Sequence, residues 1–461
     1  AGSSKSLGHK INFDFEINFS EVFHKKGGFD VVIGNPPYVR QEEIKELKPL
    51  LKPRYECFTG TADLFTYFYE RGIKLLRNGG QFAFITSNKW YRSGYGEKLR
   101  DWLARNTRIH QLIDFGDAPV FEAIAYPTIV LLERIKGSHA NPDSVFRALT
   151  WQPGPPLADF VSIVRRDSFD IPQHSLDKSG WRLEGAAKRK LLEKLRAAGM
   201  PLGEYCQGRF YYGIKTGLND AFVVDRATRD RLIAEHSSSA EVLKPFLRGR
   251  DVKRWRVGFA DQYLIKIESS ENKIHLWSGK SAKAAEDIYA ATYPAIHTFH
   301  QQFRAGLIKR ADQGKYFWEL RSCIYWQEFE QPKIAYPNIC KRNEFSWDED
   351  SYFINQKAFI IPRTSKYLLA ILNSSAVMFL FKMLLAKLQN EFYEPSAIFL
   401  KLFPIPTAIP TDQTELEKLV QRILENPNVA NIADQEAEIN DRVYRLFGLT
   451  REEIALIEED R

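Results

Sequence analysis

The chain has 461 residues, with 65 Lys and Arg against 58 Asp and Glu, which gives a formal net charge of +7. This length predicts two or three domains, and the small positive excess is compatible with a polyanionic partner. The four cysteines show no Cys-x-x-Cys spacing, which argues against a zinc site or a disulfide scaffold and fits a reducing cytoplasm.

The amino-terminal segment AGSSKSLGHK carries small and polar residues where a signal peptide would have an apolar core. We therefore expect residues 1–10 to be a tag remnant or disordered. The following residues, 11–136, alternate predicted strands and helices with short connections, as in an α/β domain with a parallel sheet.

The first predicted strand of this domain is FDVVIG, residues 29–34, an unbroken apolar run of the kind that is buried on both faces. A helix is predicted within TADLFTYFYERGIKLLRNGG, with Asp63 as its N-cap and Gly79-Gly80 as its end. Three more strands and a helix follow: QFAFITS (81–87), the helix YGEKLRDWLARN (95–106), HQLIDFG (110–116) and AYPTIVLLERI (125–135).

A doubly wound nucleotide-binding sheet normally opens with a strand, a glycine-rich turn and a helix that together hold the cofactor. No such turn precedes residue 29, and Gly94-Tyr95-Gly96 lacks the third glycine. The pattern therefore predicts only the second half of a doubly wound sheet.

Beyond this half-sheet, the Pro-rich residues 137–190 are predicted to be a linker or crossover, and residues 191–405 an α+β domain rich in aromatic and basic side chains. The apolar stretch 367–388 contains Asn, Ser and Lys, so we interpret it as a buried helix of a soluble protein and not as a membrane span. Residues 406–461 are predicted to be helical, with a capping box formed by Thr450 and Glu453.

The first strand ends on Asn35-Pro36-Pro37-Tyr38, at the edge where open α/β sheets bind ligands. An amide oxygen and a backbone carbonyl can accept both hydrogens of an exocyclic amine and so localise its lone pair. The prolines make the loop rigid and add no competing N–H, and Tyr38 can stack on a base that has left its helix. The motif therefore predicts an amine-directed active site.

These four residues match the catalytic motif of S-adenosylmethionine-dependent amino-methyltransferases. The segments GGFDVVIGNPPYVR, TADLFTYFYERGIKLLRNGG and FAFITSNKW resemble the methylase part of adenine-N6 DNA methyltransferases in fused type II restriction-modification enzymes. FYYGIKTGLNDAFVVD, LKPFLRGRDVKRW, AILNSSA and VYRLFGLTREEI resemble the target-recognition domain and carboxyl-terminal helices of the same family, so the resemblance covers nearly the whole chain.

The resemblance implies roles for individual residues around the motif. Asn35 and the Pro36 carbonyl would accept the amine hydrogens and border the cofactor, and Tyr38 would stack on the flipped adenine. Phe121, with Tyr126 as the second choice, would supply the opposite aromatic surface. Lys89, as a candidate DNA contact, and Trp90 would lie on the same rim, and a structural role is open for both.

The family also places a glycine-rich cofactor loop and an acidic ribose ligand before this strand, and often a nuclease domain before those. Because neither the loop nor the ligand is present, we expect a carboxyl-terminal fragment of a bacterial or archaeal cytoplasmic enzyme. The parent would use S-adenosylmethionine, whereas the fragment by itself would be inactive. No metal site is expected.

Double-stranded DNA is the predicted partner, and no membrane is implied. The candidate DNA contacts are a local excess of positive charge and a glycine-flanked loop: Lys244, Arg248, Arg250, Lys253, Arg254 and Arg256 in the first, and Lys215 and Thr216 in the second. Each of these segments could also be an ordinary basic surface loop.

Two other functions stay open at this point. The motif is shared with methyltransferases that act on RNA or protein amines, and only the second domain points to DNA. Alternatively, the fragment is a sequence-specific DNA-binding module without catalysis.

Overall fold

The protein is described from a computed structural model, which covers residues 13–116, 118–121, 126–135, 144–151, 155–176, 178, 180–385, 388, 392–426 and 432–459. The chain divides into two compact units, the first ending at Lys190 and the second beginning at Leu191. The two units are described separately.

The first unit is an α/β unit. Its strands are β1 Phe29–Gly34, β2 Leu76–Ser87, β3 Thr107–Asp114, β4 Pro127–Arg134, β5 Val145–Thr150 and β6 Phe169–Pro172. Its helices are α1 Phe15–Asn18, α2 Ser20–Lys26, α3 Lys48–Leu51, α4 Phe65–Leu75, α5 Glu97–Asn106 and α6 Phe160–Asp167, and α7 Ala186–Ala197 runs into the second unit.

The described strands of the first unit form one sheet in the order β1-β2-β4-β3-β5-β6. β1 is parallel to β2 and β3 is parallel to β5, whereas β4 is antiparallel to both of its neighbours and β6 is antiparallel to β5. The predicted α/β class is confirmed, but the sheet is mixed where a parallel one was predicted. β4 follows β3 without a described helix between them, and such a connection favours antiparallel pairing.

β1 lies at the edge of this sheet, because among the described strands it pairs only with β2. Val31 is 59% exposed and Ile33 is 80% exposed, so the prediction of a strand buried on both faces is wrong for the described residues. The apolar pattern shows that this strand suits a buried environment; Phe29 packs against Phe15, Phe19 and Phe23, whereas Val31 and Ile33 are left exposed by the described residues.

Helix α4 differs from its predicted limits at both ends. It begins at Phe65 after Leu64, and the Asp63 carboxylate accepts a hydrogen bond from the Gln41 N–H instead of capping the helix. It ends at Leu75, and the chain passes directly into β2, so the predicted stop at Gly79-Gly80 lies inside that strand.

The segment predicted as a linker, residues 137–190, contributes structure to the first unit. Its described part contains β5, α6 and β6, and Phe146, Ala148 and Ile171 are buried in the core of the unit. These strands are only six and four residues long, and they flank the Pro-rich stretch that suggested a linker.

The second unit contains three described sheets. Its strands are β7 Gly199–Pro201, β8 Tyr211–Tyr212, β9 Val223–Asp225, β10 Leu243–Leu247, β11 Trp255–Arg256, β12 Gln262–Ile265, β13 Lys333–Pro337, β14 Ser346–Asp348, β15 Phe353–Ile354, β16 Ala358–Pro362 and β17 Pro404–Pro406. They pair in the orders β15-β10-β12-β9, β11-β14-β13-β16-β8 and β17-β7. The predicted α+β character of this unit is confirmed.

The second unit also contains the remaining described helices. These are α8 Leu202–Tyr205, α9 Asn219–Phe222, α10 Arg226–Glu235, α11 Ser239–Val242, α12 Ala282–Thr292, α13 Pro294–Gln301, α14 Arg304–Lys309, α15 Lys366–Leu372, α16 Ser375–Leu384, α17 Ala397–Leu400, α18 Pro410–Glu425, α19 Ala433–Leu446 and α20 Arg451–Glu458. The apolar faces of α18 and α19 join α15 and α16 in one hydrophobic core. The predicted capping box of Thr450 and Glu453 is present at the start of α20.

The apolar stretch near residue 370 folds as two helices and not as one. α15 and α16 meet at an angle of 56°, and their apolar side chains are buried in the second unit. No single helix in the described part of the chain is long and apolar enough to cross a membrane, although this bent pair together has the required length and composition.

Candidate active site and nucleic-acid interface

The loop after β1 presents the Asn-Pro-Pro-Tyr motif at the carboxyl end of the strand. Asn35 and Tyr38 are exposed, whereas Pro36 is buried. The far end of the loop is fixed to the start of α4 by two hydrogen bonds: the Leu64 N–H donates to the Val39 carbonyl, and the Gln41 N–H donates to the Asp63 carboxylate, each at 3.0 Å. The loop is therefore attached at both of its ends, to β1 and to the residues just before α4.

Tyr38 is close to two phenylalanines. Its ring centroid is 6.3 Å from that of Phe65 and also 6.3 Å from that of Phe121, which meets it edge-on at 68°. Although 39% of Tyr38 is exposed, burial of the rest of its side chain raises its pKa to about 12, so it is a neutral phenol near pH 7. The structure thus brings together the two aromatic residues that the sequence assigned to one site.

The other predicted rim residues have separate roles. The Lys89 ammonium is exposed and lies 5.8 Å from the centroid of the Tyr126 ring. Trp90 is fully buried and packs edge-on against Tyr69 and Trp181. Lys89 is therefore available at the surface, whereas Trp90 is a core residue.

Two acidic side chains of the first unit, Asp63 and Asp114, hold local structure that the sequence did not indicate. Asp63 holds the motif loop, and burial raises its pKa, an effect opposed by the Gln41 N–H and by Lys89. Asp114, at the end of β3, accepts hydrogen bonds from the Asn88 amide at 2.7 Å and from the Gly116 N–H at 2.9 Å. In the sequence, these roles are indicated by position: Asp63 stands just before α4, and Asp114 stands at the end of β3.

In the second unit, the GIKTG loop is held mainly by its own contacts. Lys215 is exposed, and its ammonium pairs with Asp312 at 2.8 Å. Thr216 is buried, its hydroxyl is hydrogen-bonded to Asn219 at 2.7 Å, and its carbonyl accepts a hydrogen bond from Arg310. The predicted DNA contact through Thr216 does not fit this structure, because its side chain is enclosed.

The basic run after β10 divides into exposed and structural side chains. Arg250 is 71% exposed, and Lys253 is also exposed. Arg254 is only 13% exposed and pairs with Glu436 at 2.8 Å, so the predicted DNA contact at Arg254 does not fit either. Arg248 is partly buried and donates to the Gln262 side chain, and Arg256 donates to the carbonyls of Ile423 and Asn426 near the end of α18.

Comparison with known proteins matches both halves of the chain. The Eco57I restriction-modification methylase model matches residues 3–121, and the TaqI-like C-terminal specificity domain matches residues 244–405. The chain is 24% identical to the type II methyltransferase M.BstVI of Geobacillus stearothermophilus, over 94% of this chain and 75% of that protein. It is 33% identical to M.PaeR7I of Pseudomonas aeruginosa, over 44% of this chain and 37% of that protein.

Among solved structures, the chain is similar to the type IIL restriction-modification enzyme MmeI, whose structure was determined in complex with DNA. The TM-score is 0.61 at 13% identity, over 97% of this chain and 58% of MmeI, which is a likeness of fold. The chain thus spans about three quarters of M.BstVI but little more than half of MmeI. With a segment that matches a restriction-modification methylase followed by one that matches a specificity domain, the chain is similar in its organisation to the type II restriction-modification methyltransferases.

Proposed function

We propose that the chain is part of a site-specific DNA adenine-N6 methyltransferase of a restriction-modification system, active in a bacterial or archaeal cytoplasm. The observation that carries this proposal is the Asn-Pro-Pro-Tyr loop at the carboxyl end of β1, with Phe121 beside Tyr38. An exposed amide next to two aromatic rings suits a planar base that carries an exocyclic amine.

Asn35 supplies the first acceptor for this amine. Its side chain is exposed and shows no hydrogen bond to another described residue, so its amide oxygen is open to a substrate. The Pro36 carbonyl is the second acceptor. Together they hold the two amine hydrogens and direct the nitrogen lone pair toward the methyl donor.

Tyr38 and Phe121 hold the two faces of the base. Two rings that contact opposite faces of a base stand about 7 Å apart, twice the van der Waals contact of about 3.5 Å. The observed centroid separation of 6.3 Å is close to this distance, but Phe121 meets Tyr38 edge-on. Entry of the base therefore requires Phe121 to turn its face toward it.

Among the described residues, Asn35 and Pro36 are those we assign to a site for S-adenosylmethionine, and they would line one side of it. Asn35 and Pro36 lie at the carboxyl end of β1, but no glycine-rich turn joins a described strand to a helix beside them. S-adenosylmethionine supplies the electrophilic methyl group when bound. We assign the remainder of its site, and any nuclease, to an upstream region of a longer parent protein.

Methylation of DNA by the parent protein tests the proposal. Digestion of the product to nucleosides and mass spectrometry should reveal N6-methyladenine. Transfer to cytosine would contradict the adenine assignment, and transfer only to RNA or to a protein side-chain amide would contradict the DNA assignment.

A further inference from the structure

Three loops of the second unit converge on one residue, Asn355. They are residues 213–217, the 3-10 turn Gly249–Asp251 and the turn 355–357. The Asn355 side-chain oxygen accepts hydrogen bonds from the N–H groups of Gly249 and Lys357, both at 3.0 Å. The Asn355 N–H donates to the Leu247 carbonyl at 2.9 Å, so this residue is fixed to the end of β10.

Backbone hydrogen bonds join the first loop to the same turn. The Ile214 N–H donates to the Ile354 carbonyl at 2.6 Å, and the Gln356 N–H donates to the Ile214 carbonyl at 3.0 Å. The GIKTG loop and the basic run after β10, which are separate segments in the sequence, therefore share one junction.

Two glycines make this close approach possible. A Cβ atom on Gly213 would lie 1.9 Å from the Asn355 carbonyl oxygen, and one on Gly249 would lie 2.5 Å from the Lys357 carbonyl oxygen. Backbone atoms cannot yield as a flexible side chain could. Any larger residue at either position would separate a loop from the turn.

The loops present exposed polar and cationic side chains around this junction. Lys215, Arg250, Gln356 and Lys357 are all exposed. Arg250 has Asp251 at 4.0 Å, but that carboxylate already accepts the Arg248 N–H at 2.7 Å. Asp312 is shared between Lys215 at 2.8 Å and Arg321 at 3.6 Å. Lys215, Arg250, Arg321 and Lys357 thus supply four positive charges against the two carboxylates of Asp251 and Asp312, so the local charge is positive.

We propose that this three-loop surface, formed by residues 213–217, 249–251 and 355–357, contacts duplex DNA. The inference rests on the proposed function and extends it to Gln356 and Lys357, which no sequence motif indicated. Arg250 and Lys357 bind phosphates and fix the register of the protein on the duplex. Gln356 reads a base edge, because its amide offers a donor and an acceptor together, the pair that matches the major-groove edge of adenine.

Binding of fluorescently labelled duplex DNA by the full chain, measured by anisotropy over a salt series, tests the phosphate contacts. Arg250→Ala and Lys357→Ala should each weaken binding and lower the salt slope by about one. The matched controls Arg445→Ala and Lys283→Ala remove exposed cations on α19 and α12 and should match the wild type. All four variants should unfold at the wild-type temperature, since each side chain is exposed.

Selection from a randomised duplex library tests the base contact. Gln356→Ala should relax the preference at one base pair, by about 5-fold to 150-fold, and leave the salt slope unchanged. If the wild type binds duplex DNA and all surface variants match the controls, the three-loop surface is refuted while the proposed function stands. If the wild type binds no duplex DNA, or binds RNA more tightly, the three-loop surface is refuted as a duplex-DNA contact, and the methylation assay of the parent protein decides the proposed function independently.

Discussion

The rings of Tyr38 and Phe121 meet edge-on with their centroids 6.3 Å apart, although one follows β1 and the other lies between β3 and β4. The strand directions place both connections at the same edge of the sheet, because β1 and β3 run in the same direction and each connection begins at the carboxyl end of its strand. An aromatic pair assembled from distant parts of the sequence borders the exposed amide of Asn35.

Replacement of Asn35 tests the chemistry at this site. In the full-length parent, Asn35→Ala should lower kcat by at least about 100-fold, because it removes an interaction needed at the reacting nitrogen. DNA affinity should change far less. Tritiated-cofactor assays and binding titrations measure the two effects, and activity within a few-fold of the wild type would remove Asn35 from the mechanism.

Tyr38 and Phe121 should hold the base by stacking of their rings, without a contribution from the Tyr38 hydroxyl. Tyr38→Phe should therefore keep most activity, whereas Tyr38→Ala and Phe121→Ala should each weaken capture of the extruded base by about 1–3 kcal/mol. The fluorescence of 2-aminopurine at the target position reports extrusion directly. A strong loss with Tyr38→Phe would show that the hydroxyl, and not stacking, matters.

Asp63 should position the motif loop. Asp63→Ala frees the Gln41 N–H, and even a small displacement of the loop can lower kcat by about 100-fold. Asp63→Asn keeps a carbonyl acceptor at this position and should restore most of the rate. If both variants lose activity equally, the charge of Asp63, and not its hydrogen bond, is what the site requires.

Substitutions of Arg254 and Arg250 should have different effects, the first on stability and the second on DNA binding. Arg254→Ala leaves Glu436 without its cation in a largely buried position, and it should lower the free energy of unfolding by about 3 kcal/mol. Arg250→Ala should leave stability within about 0.5 kcal/mol, because its side chain is exposed. Urea unfolding of both variants checks the contrast, and equal losses would contradict it.

The ion pair of Arg254 and Glu436 should make the free energy of unfolding depend on pH. Burial alone would raise the pKa of Glu436, but Arg254 and the Trp255 indole N–H outweigh it and lower the pKa below its usual 4.5. The stabilisation is therefore complete above pH 4.5 and is lost as the pH falls through the lowered folded value. Arg254→Ala should flatten this decline in unfolding experiments between neutral and acidic pH.

Calorimetric titration with S-adenosylmethionine tests the assignment of the cofactor site. We expect the chain by itself to bind it negligibly and to methylate nothing, because the described residues supply only the Asn35 and Pro36 border. Micromolar binding would show that this chain holds a cofactor site which neither the sequence nor the described structure revealed.

Local patterns predicted much of the first unit. The apolar run predicted the bounds of β1. The position of Asn35 directly after that strand predicted that the motif lies at the carboxyl end of β1. The Thr450–Glu453 capping box was equally predictable, because both of its hydrogen bonds form within one turn of α20.

Contacts between distant residues were not predictable from these patterns. The basic run suggested one DNA-binding segment, but Arg254 and Arg256 are held by α19 and by the end of α18, far along the chain. In the same way, Thr216 lies in the predicted loop but is buried, and its carbonyl accepts a hydrogen bond from Arg310. The sequence shows which side chains are basic, whereas the tertiary structure decides which of them are exposed at the surface.

At the junction around Asn355 in the second unit, the residues that hold the loops differ from those that are exposed. Gly213, Gly249 and Asn355 hold the loops through backbone atoms and one amide, whereas Lys215, Arg250, Gln356 and Lys357 project outward. Exchanging the outward side chains should leave the loop scaffold intact. Target preference could then be altered one position at a time, without rebuilding the fold that carries it.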